Sequence, residues 1–420
     1  MAVNRLNSLQ WLIVAMTIGI RIAAIVVLRS HEVPHSTYEH GEIAEHLLSG
    51  RGFSVMFLGN DGPTSQQAPL YPLCVAAAYY LGGIGTPRAL LILTVAQAFL
   101  SGLLVLGTIR LGRWIVPNHP AFSLIAGAIV AFYPTLIYAT THVQVAVLAT
   151  TLLTWLMAWG YRTGTSRSPY DAAVTGVLLS LLALTDPILA LGFAGVAAAI
   201  ILGDRSGSIR LAATVCLVAG LGISPWIFRN YLVHHEFVAI KSSFGYAFWQ
   251  GNCALSQGTD KVVRTSVERV LEREEGKSGL EGLNRTLWTA RHEAGYLDDI
   301  ALTREDYRLL GQVSEPERSR ILFRRAIEDL RSQPGRYWQL CLRRLRCFVF
   351  FDETNPKTRV LIYRAGHLAL TGLALGGIVL AGIEIRRRLI PTFLAAGLIA
   401  LFHVLTITSA RFHIPLEPLM

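Results

Sequence analysis

The chain has 420 residues, of which 52% are hydrophobic and only 16% are charged, and its mean hydropathy is +0.44. Soluble domains carry about 25% charged residues, so this composition excludes one soluble core and is typical of an integral membrane protein. The formal net charge of +10 is explained by short basic loops that set orientation in a membrane, and we expect no nucleic-acid partner. The five cysteines include no Cys-x-x-Cys pair, so they indicate neither a zinc nor a redox motif.

Apolar segments follow one another along most of the chain. The first, at about residues 11–28, continues into a polar stretch without a small-residue cleavage site, so we expect it to remain as an anchor. It contains Arg21, and a charge inside the bilayer costs a few kcal/mol unless it faces the protein interior, so Arg21 is predicted to point inward. Eight later segments are also predicted to cross, at about residues 89–109, 122–138, 143–160, 172–184, 188–202, 211–228, 360–383 and 389–408.

Basic residues between these segments predict the topology. If residues 69–84 also crossed, two basic pairs would lie outside and break the positive-inside rule, namely Arg110/Arg113 and Arg162/Arg167. Residues 69–84 would measure only about 24 Å as a helix, so we expect them to lie in the interface or to re-enter. With a turn outside at residues 185–187, the prediction is nine spans and a cytoplasmic N-terminus.

This topology divides the chain into three parts. Residues 1–229 are an N-terminal transmembrane module, whose first outer loop is residues 29–68. Residues 230–358 are too long for a passive loop and are predicted to form a mostly helical extracytoplasmic domain. Residues 359–420 are a C-terminal transmembrane hairpin followed by an outer-face motif.

Helix signals support the prediction for the extracytoplasmic domain. Ser314 and Glu317 have capping-box spacing, and apolar residues follow at helical intervals until Pro334 interrupts them. The next stretch, residues 337–351, mixes aromatic and basic side chains as interfacial helices do.

Three glutamates of the first outer loop are candidates for chemistry. Glu39, Glu42 and Glu45 are spaced three apart, so on a helix they line a shared face. A carboxylate close to the membrane surface can have a raised pKa and act as a general base. The alternative is a solvated amphipathic helix whose apolar residues face the membrane. We favour a functional role for Glu39 or Glu42 over this alternative, and less so for Glu45.

Histidines crowd the same loop, at His31, His35, His40 and His46. Their spacing matches no compact metal motif, so ordinary surface histidines are favoured and no metal or other cofactor is expected.

Basic groups from three separated segments are predicted to lie on one outer face. Arg229 closes the seventh span, where its planar fork would suit a lipid phosphate, although an interfacial arginine beside an aromatic belt is an equal alternative. Lys241 follows it in the chain. Arg411 and His413 return basic groups to the same side near the C-terminus.

Short motifs in a shared order carry a resemblance over nearly the whole chain. They are Glu39–Ala44, Leu47–Ser54, Gly62–Thr64, Pro69–Pro72, Pro225–Tyr231, Phe244–Gly245 with Trp249–Asn252, and Arg411–Pro418. In this order the chain is similar to bacterial family 39 glycosyltransferases of the GT-C superfamily, which includes the protein O-mannosyltransferases and the lipid A aminoarabinose transferase. The resemblance implies an all-α GT-C bundle in the bacterial inner membrane, with an active site on the extracytoplasmic side.

The same resemblance implies a polyprenyl-phosphate sugar donor and an acidic base in the first outer loop. Two departures affect the residues that would serve. Many relatives carry an adjacent acidic pair where this chain has Ser36 and Thr37, so either Glu39 or Glu42 could be the base. Asp186 stands where relatives often have a basic residue before proline, which removes one phosphate ligand.

The mechanism implied is a direct displacement at the anomeric carbon, which inverts it. Glu39, with Glu42 as substitute, would take the acceptor proton, and the acceptor could be a lipid, a glycan or a protein. The departing phosphate would be stabilised by the basic groups Arg229, Lys241, Arg411 and His413.

Two other functions stay open at the sequence level. A transporter or lipid flippase would need ionisable groups in the middle of several spans, whereas Arg21 is the one clear mid-span charge. An inactive family 39-like scaffold would agree with the departures.

Overall fold

The computed structural model describes residues 2–33, 36–57, 60–203, 206–260, 302–353, 358 and 360–420. This described chain is helical apart from one antiparallel hairpin, in which β1 (Ser54–Phe57) pairs with β2 (Asn60–Pro63). Short 3-10 helices lie at Ser30–Glu32, Pro187–Gly192 and Ile414–Leu419. The α-helices are α1 (Ala2–Leu28), α2 (Tyr38–Leu48), α3 (Leu70–Gly82), α4 (Pro87–Ile115), α5 (Pro120–Phe132), α6 (Pro134–Thr140), α7 (Ala146–Ser166), α8 (Pro169–Ala183), α9 (Phe193–Gly203), α10 (Ser208–His234), α11 (Phe244–Asn252), α12 (Arg304–Gly311), α13 (Glu315–Ser332), α14 (Pro334–Val349), α15 (Leu361–Leu380) and α16 (Ile383–Leu405).

Five of the described helices are long and apolar enough to cross a membrane, namely α1 over Asn7–Leu28, α4, α10, α15 and α16. Helices α5 and α6 would make a sixth span as a pair, although they are bent by 54°. The chain is therefore an all-α polytopic membrane protein, as predicted. Because α8 and the helical segment Pro187–Gly203 are shorter, the full set of nine crossings stays a prediction.

Helix α3 occupies the segment that was predicted not to cross. Its 13 residues measure about 20 Å, which is less than the ~30 Å thickness of the hydrocarbon core. The N–H of Leu70 at its start donates to the carbonyl of Leu184 at 3.0 Å. The start of α3 and the turn at residues 185–187 therefore lie on the same side of the bundle.

The two basic pairs, Arg110/Arg113 and Arg162/Arg167, lie together at the end of the bundle opposite the turn at residues 185–187. Helices α4 and α7 run parallel, since Thr151 bonds the carbonyl of Leu100 at 3.4 Å and Trp155 bonds that of Leu103 at 2.9 Å. Their C-terminal ends carry Arg113 and Arg162, respectively. This arrangement is the one that the positive-inside rule requires of both pairs.

Arg21 is fully buried and points into the protein, as predicted. Its guanidinium donates to the carbonyl of Ala131 at 2.8 Å and to that of Val130 at 3.3 Å, both at the C-terminal end of α5. The carbonyl of Val130 has no helical partner because Pro134 lacks an N–H. Arg21 therefore caps α5 at the bend between α5 and α6.

The described parts of residues 230–358 are mostly helical and include α11 to α14. Ser314 caps α13 as predicted, since its hydroxyl accepts the N–H of Glu317. Helix α14 begins at Pro334, and its outward side chains include Trp338 and Leu342, which are 66% and 67% exposed. Those exposed apolar groups suit an interfacial helix. The division of the chain into three parts stays a prediction.

A buried carboxylate joins α13 to the first outer loop. Glu315, 5% exposed, accepts the hydroxyl of Thr64 at 2.6 Å and the N–H of Ser65 at 2.7 Å. The hydroxyl of Ser242 also donates to it. On the other side, the Ser65 hydroxyl donates to Asn230 of α10 at 2.7 Å. We call these five residues the outer-loop clamp.

The first prediction concerns Arg21. Replacement of Arg21 by Met leaves the two α5 carbonyls without donors, and each buried unpaired group costs roughly 1–3 kcal/mol. We expect a lower thermal unfolding midpoint in detergent. Arg29→Ala is the control, since this arginine is 66% exposed and pairs with Glu32 on the surface. Equal midpoints for the two variants would contradict the capping role.

The second prediction concerns Glu315. Glu315→Ala removes the acceptor of three donors in the clamp, and each buried donor left unpaired costs roughly 1–3 kcal/mol. We expect a lower unfolding midpoint and faster tryptic cleavage at Arg51, which lies in the loop that the clamp holds. Glu317→Ala on the same helix removes only surface ion pairs with Arg320 and Arg324 and should leave both readouts unchanged. Protection of Arg51 in Glu315→Ala would refute the clamp.

Candidate functional site

Helix α2 carries the candidate glutamates and packs closely on α3. Gly41 permits this approach, because a Cβ there would lie 2.8 Å from the hydroxyl of Tyr79 and 2.0 Å from that of Thr37. Ile43 and Ala44 are fully buried in the protein. The apolar face of α2 therefore packs against the protein rather than the membrane.

The start of α2 directs Glu39. Tyr38, the preceding residue, has a left-handed backbone with φ of 51°, which costs a non-glycine residue roughly 1–2 kcal/mol. Glu39 is partly buried and close enough to Lys241 and His40 for its charge to act on both. The strained residue thus precedes the carboxylate whose charge acts on Lys241.

His40 lies beside Glu39, with its ring centre 5.0 Å from that of Tyr71. The pKa of His40 is lowered to about 4, mainly by burial; the charge of Glu39 raises it in part, and the positive charges of Lys241 and Arg411 lower it. His40 is therefore neutral at pH 7. It adds no positive charge to the site.

Lys241 lies in the segment after α10, close enough to Glu39 for the two charges to interact. Its ammonium donates to the side-chain carbonyl of Gln67 at 3.2 Å. Burial lowers the pKa of Lys241, and so does the charge of Arg411, whereas Asp186 and Glu39 raise it. Asp186, which sequence reasoning treated only as a lost phosphate ligand, is thus a counter-charge for Lys241. We call Glu39, Asp186, Lys241 and Arg411 the charged cluster.

Arg411 enters the charged cluster from the C-terminal segment. The N–H of Asp260 donates to the carbonyl of Thr408 at 3.1 Å, which attaches that segment to the stretch after α11. The Arg411 side chain is 58% exposed, and its nearest acidic oxygen, from Asp260, is 4.0 Å away. Arg411 is therefore accessible to an anion from outside.

Glu42 turns away from the charged cluster towards the hairpin. Its carboxylate accepts the N–H of Met56 in β1 at 2.9 Å. Burial raises the pKa of Glu42, and the hydrogen bond from Met56 lowers it in part. Its neighbours are His46 and Asp61, whose ligand atoms lie within 4.8 Å of its own. Glu39 and Glu42 therefore have different surroundings despite their helical spacing.

Arg229 supports the outer loop. Its guanidinium donates to the carbonyl of Thr64 at 2.6 Å and to that of Phe53 at 2.8 Å, and it lies 4.8 Å from the ring centre of Trp226. Arg229 therefore holds the loop and packs on an aromatic ring. Aromatic packing was the alternative to phosphate binding in the sequence analysis. Phosphate binding by Arg229 stays a prediction.

His413 is buried, with 4% of its surface exposed. Its Nδ1 lies 3.0 Å from a carboxylate oxygen of Glu417, and its Nε2 lies 3.2 Å from the hydroxyl of Tyr363. These contacts occupy both ring nitrogens. Phosphate binding by His413 also stays a prediction, whereas the charges of Glu39 and Arg411 both act on Lys241.

Sequence reasoning missed Gln67 and Glu315. Glu315 follows the predicted cap Ser314, and the contact between Glu315 and Ser65 spans 250 positions of the sequence. No local pattern marks a contact of that kind. The resulting charged cluster can hold an anion beside a carboxylate in a partly buried setting, where electrostatic interactions are stronger than in water.

Comparisons with known proteins give a weak likeness to solved structures. No protein-family model matches the sequence, and no curated protein matches it. Two solved structures are similar: ArnT from Cupriavidus metallidurans bound to undecaprenyl phosphate, at 14% identity and a TM-score of 0.41, and the same protein in the apo state, at 14% identity and a TM-score of 0.34. Each alignment covers 94% of this chain and 76% of the ArnT chain. Both TM-scores are below 0.5, so the function of this chain has to be inferred from its own residues.

Proposed function

We propose that the chain is a membrane glycosyltransferase that moves a sugar from a polyprenyl-phosphate donor to an acceptor at the outer face of the membrane. The convergence of Glu39, Lys241 and Arg411 from three distant segments carries this proposal. The resemblance of the sequence motifs to family 39 glycosyltransferases supplies the donor class. Because this donor brings a phosphate, a pair of cations beside a carboxylate is the chemistry that its transfer requires.

In the proposed reaction an acceptor hydroxyl attacks the anomeric carbon of the sugar. A new carbon–oxygen bond forms as the bond from that carbon to the phosphate oxygen breaks, and the hydroxyl proton passes to Glu39. The polyprenyl phosphate leaves with the bonding electron pair, and Lys241 and Arg411 stabilise its charge. A single displacement of this kind inverts the anomeric centre.

Glu42 and Arg229 have supporting roles in this proposal. Glu42 holds β1 through the N–H of Met56, and Arg229 holds the carbonyls of Phe53 and Thr64. Both are positioning residues for the loop that carries Glu39. Glu42 remains the substitute base if Glu39 proves dispensable.

The third prediction tests the base. Glu39→Gln keeps the size of the side chain but cannot accept a proton, and general bases contribute roughly 10²–10⁴-fold to rate. We expect a loss of that order in transfer from a labelled polyprenyl-phosphate sugar in proteoliposomes. Glu42→Gln should lose less, because its amide oxygen can still accept from Met56.

Glu45→Gln is the matched control, since Glu45 is exposed on the same helix, and its activity should equal that of the wild type. Undiminished transfer by Glu39→Gln would rule out this base. Movement of the labelled lipid between leaflets without any transfer product would favour a flippase instead.

The fourth prediction tests the cations with undecaprenyl phosphate, the lipid that ArnT holds in its structure. Lys241→Met and Arg411→Met each remove a charged donor, worth about 1.5–3 kcal/mol, so binding should weaken by roughly 10-fold or more. Arg51→Met is the control, since its side chain is 51% exposed and its nearest acidic group is Asp61 at 4.0 Å. Equal binding by all three variants would contradict the assignment.

The pH dependence of the same binding assay identifies Lys241. Because burial lowers its pKa, the ammonium loses its charge at a lower pH than an ordinary lysine does, and wild-type binding should decline as the pH rises through that value. Lys241→Arg keeps its charge over this range, so its binding should show no such decline. An identical alkaline decline in both proteins would argue against Lys241 as the titrating group.

A further inference from the structure

A second group of ionisable side chains lies near the C-terminus, outside the charged cluster. His367 of α15, His413 and Glu417 are 2%, 4% and 2% exposed, and their ligand atoms all lie within 4.8 Å of one another. We call these three residues the buried His–Glu cluster. The proposed reaction does not use it.

Hydrogen bonds fix which ring nitrogen faces the carboxylate. Nε2 of His367 lies 2.9 Å from the carbonyl of Val349, which only accepts, so this nitrogen carries the hydrogen. The hydroxyl of Tyr363 donates to the carbonyl of Ala410 at 3.1 Å, so it accepts from Nε2 of His413. Both histidines therefore direct Nδ1 towards Glu417.

This arrangement leaves buried polar atoms without partners. Nδ1 of His367 is 3.8 Å from the nearer oxygen of Glu417, which is too long for a hydrogen bond. Neither this nitrogen nor the other carboxylate oxygen of Glu417 has a hydrogen-bond partner, although both are buried. A proton on His413 would satisfy that ring but not His367. A cation between the three side chains would satisfy all of them.

The geometry points to a bound divalent transition metal, and we propose that the buried His–Glu cluster is a zinc-type site. Bonds of about 2.0–2.2 Å in a tetrahedral zinc site place the ligand atoms roughly 3.3 Å apart. Nδ1 of His413 lies 3.0 Å from the carboxylate of Glu417, and Nδ1 of His367 lies 3.8 Å from it, so the two distances fall on either side of that value. Two imidazoles and a carboxylate are also a ligand set that zinc accepts.

The surroundings have the features of a metal site. Histidine ligands commonly donate their other N–H to a carbonyl or another oxygen, and here Val349 and Tyr363 receive those hydrogens. The hydroxyl of Tyr133 donates to Glu417 at 3.0 Å, so the carboxylate also has an outer hydrogen-bond partner. Burial on this scale suits a structural ion, one that would tie α15 to the segment bearing Arg411.

The test measures metal in purified full-length protein. Wild type grown with zinc and washed in detergent should retain about one zinc per chain by mass spectrometry. His367→Ala and His413→Ala should each lose most of it, because two ligands hold an ion poorly. His119→Ala is the matched control, since His119 is exposed, and it should retain the metal.

A second measurement uses only the wild type, so it tests the proposal even if the variants fail to fold. After removal of metal with a chelator, added Zn²⁺ should raise the thermal unfolding midpoint, and added Co²⁺ should give the visible absorption of a tetrahedral site. A wild type that takes up no zinc or cobalt and shows no shift would overturn the proposal and make the cluster a hydrogen-bonded ion pair. Glu39→Gln should bind metal normally, so this proposal and the proposed function can fail separately.

Discussion

The carboxylate of Glu315 is the contact on which the outer half of the molecule depends. Removing a carboxylate from water costs several kcal/mol unless donors surround it, and Thr64, Ser65 and Ser242 provide them. The position of Glu315 in the first turn of α13 adds the favourable field of the helix N-terminus. One side chain thereby joins α13 to residues 29–68, the part of the chain that carries Glu39.

Partial burial gives the charged cluster its electrostatic character. It keeps His40 neutral, so the balance of charge rests on the carboxylates of Glu39 and Asp186 and the cations of Lys241 and Arg411. Two opposite pairs nearly cancel, which limits the cost of holding these groups away from water. Of the two cations, Arg411 is the more accessible to an entering anion.

The membrane part of the molecule follows rules that operate over short stretches of sequence. Apolar runs predicted at residues 89–109 and 360–383 became α4 (Pro87–Ile115) and α15 (Leu361–Leu380), because a helix satisfies its own backbone in lipid. The inward direction of Arg21 followed from the cost of a charge in hydrocarbon. Its acceptors at the end of α5 were not predictable, since they lie about 110 positions away.

The sequence by itself determined the all-α polytopic class and the shortness of α3, and it supplied the acidic and basic candidate residues. The tertiary structure alone separated Glu39 from Glu42, because equal spacing on a helix does not say which neighbour each side chain meets. Three further contacts are visible only in the tertiary structure. Arg229 donates to carbonyls of the outer loop, and His413 is buried against Glu417. The charge of Asp186 acts on Lys241. Those contacts join segments far apart in the chain, and their geometry exists only after the helices have packed.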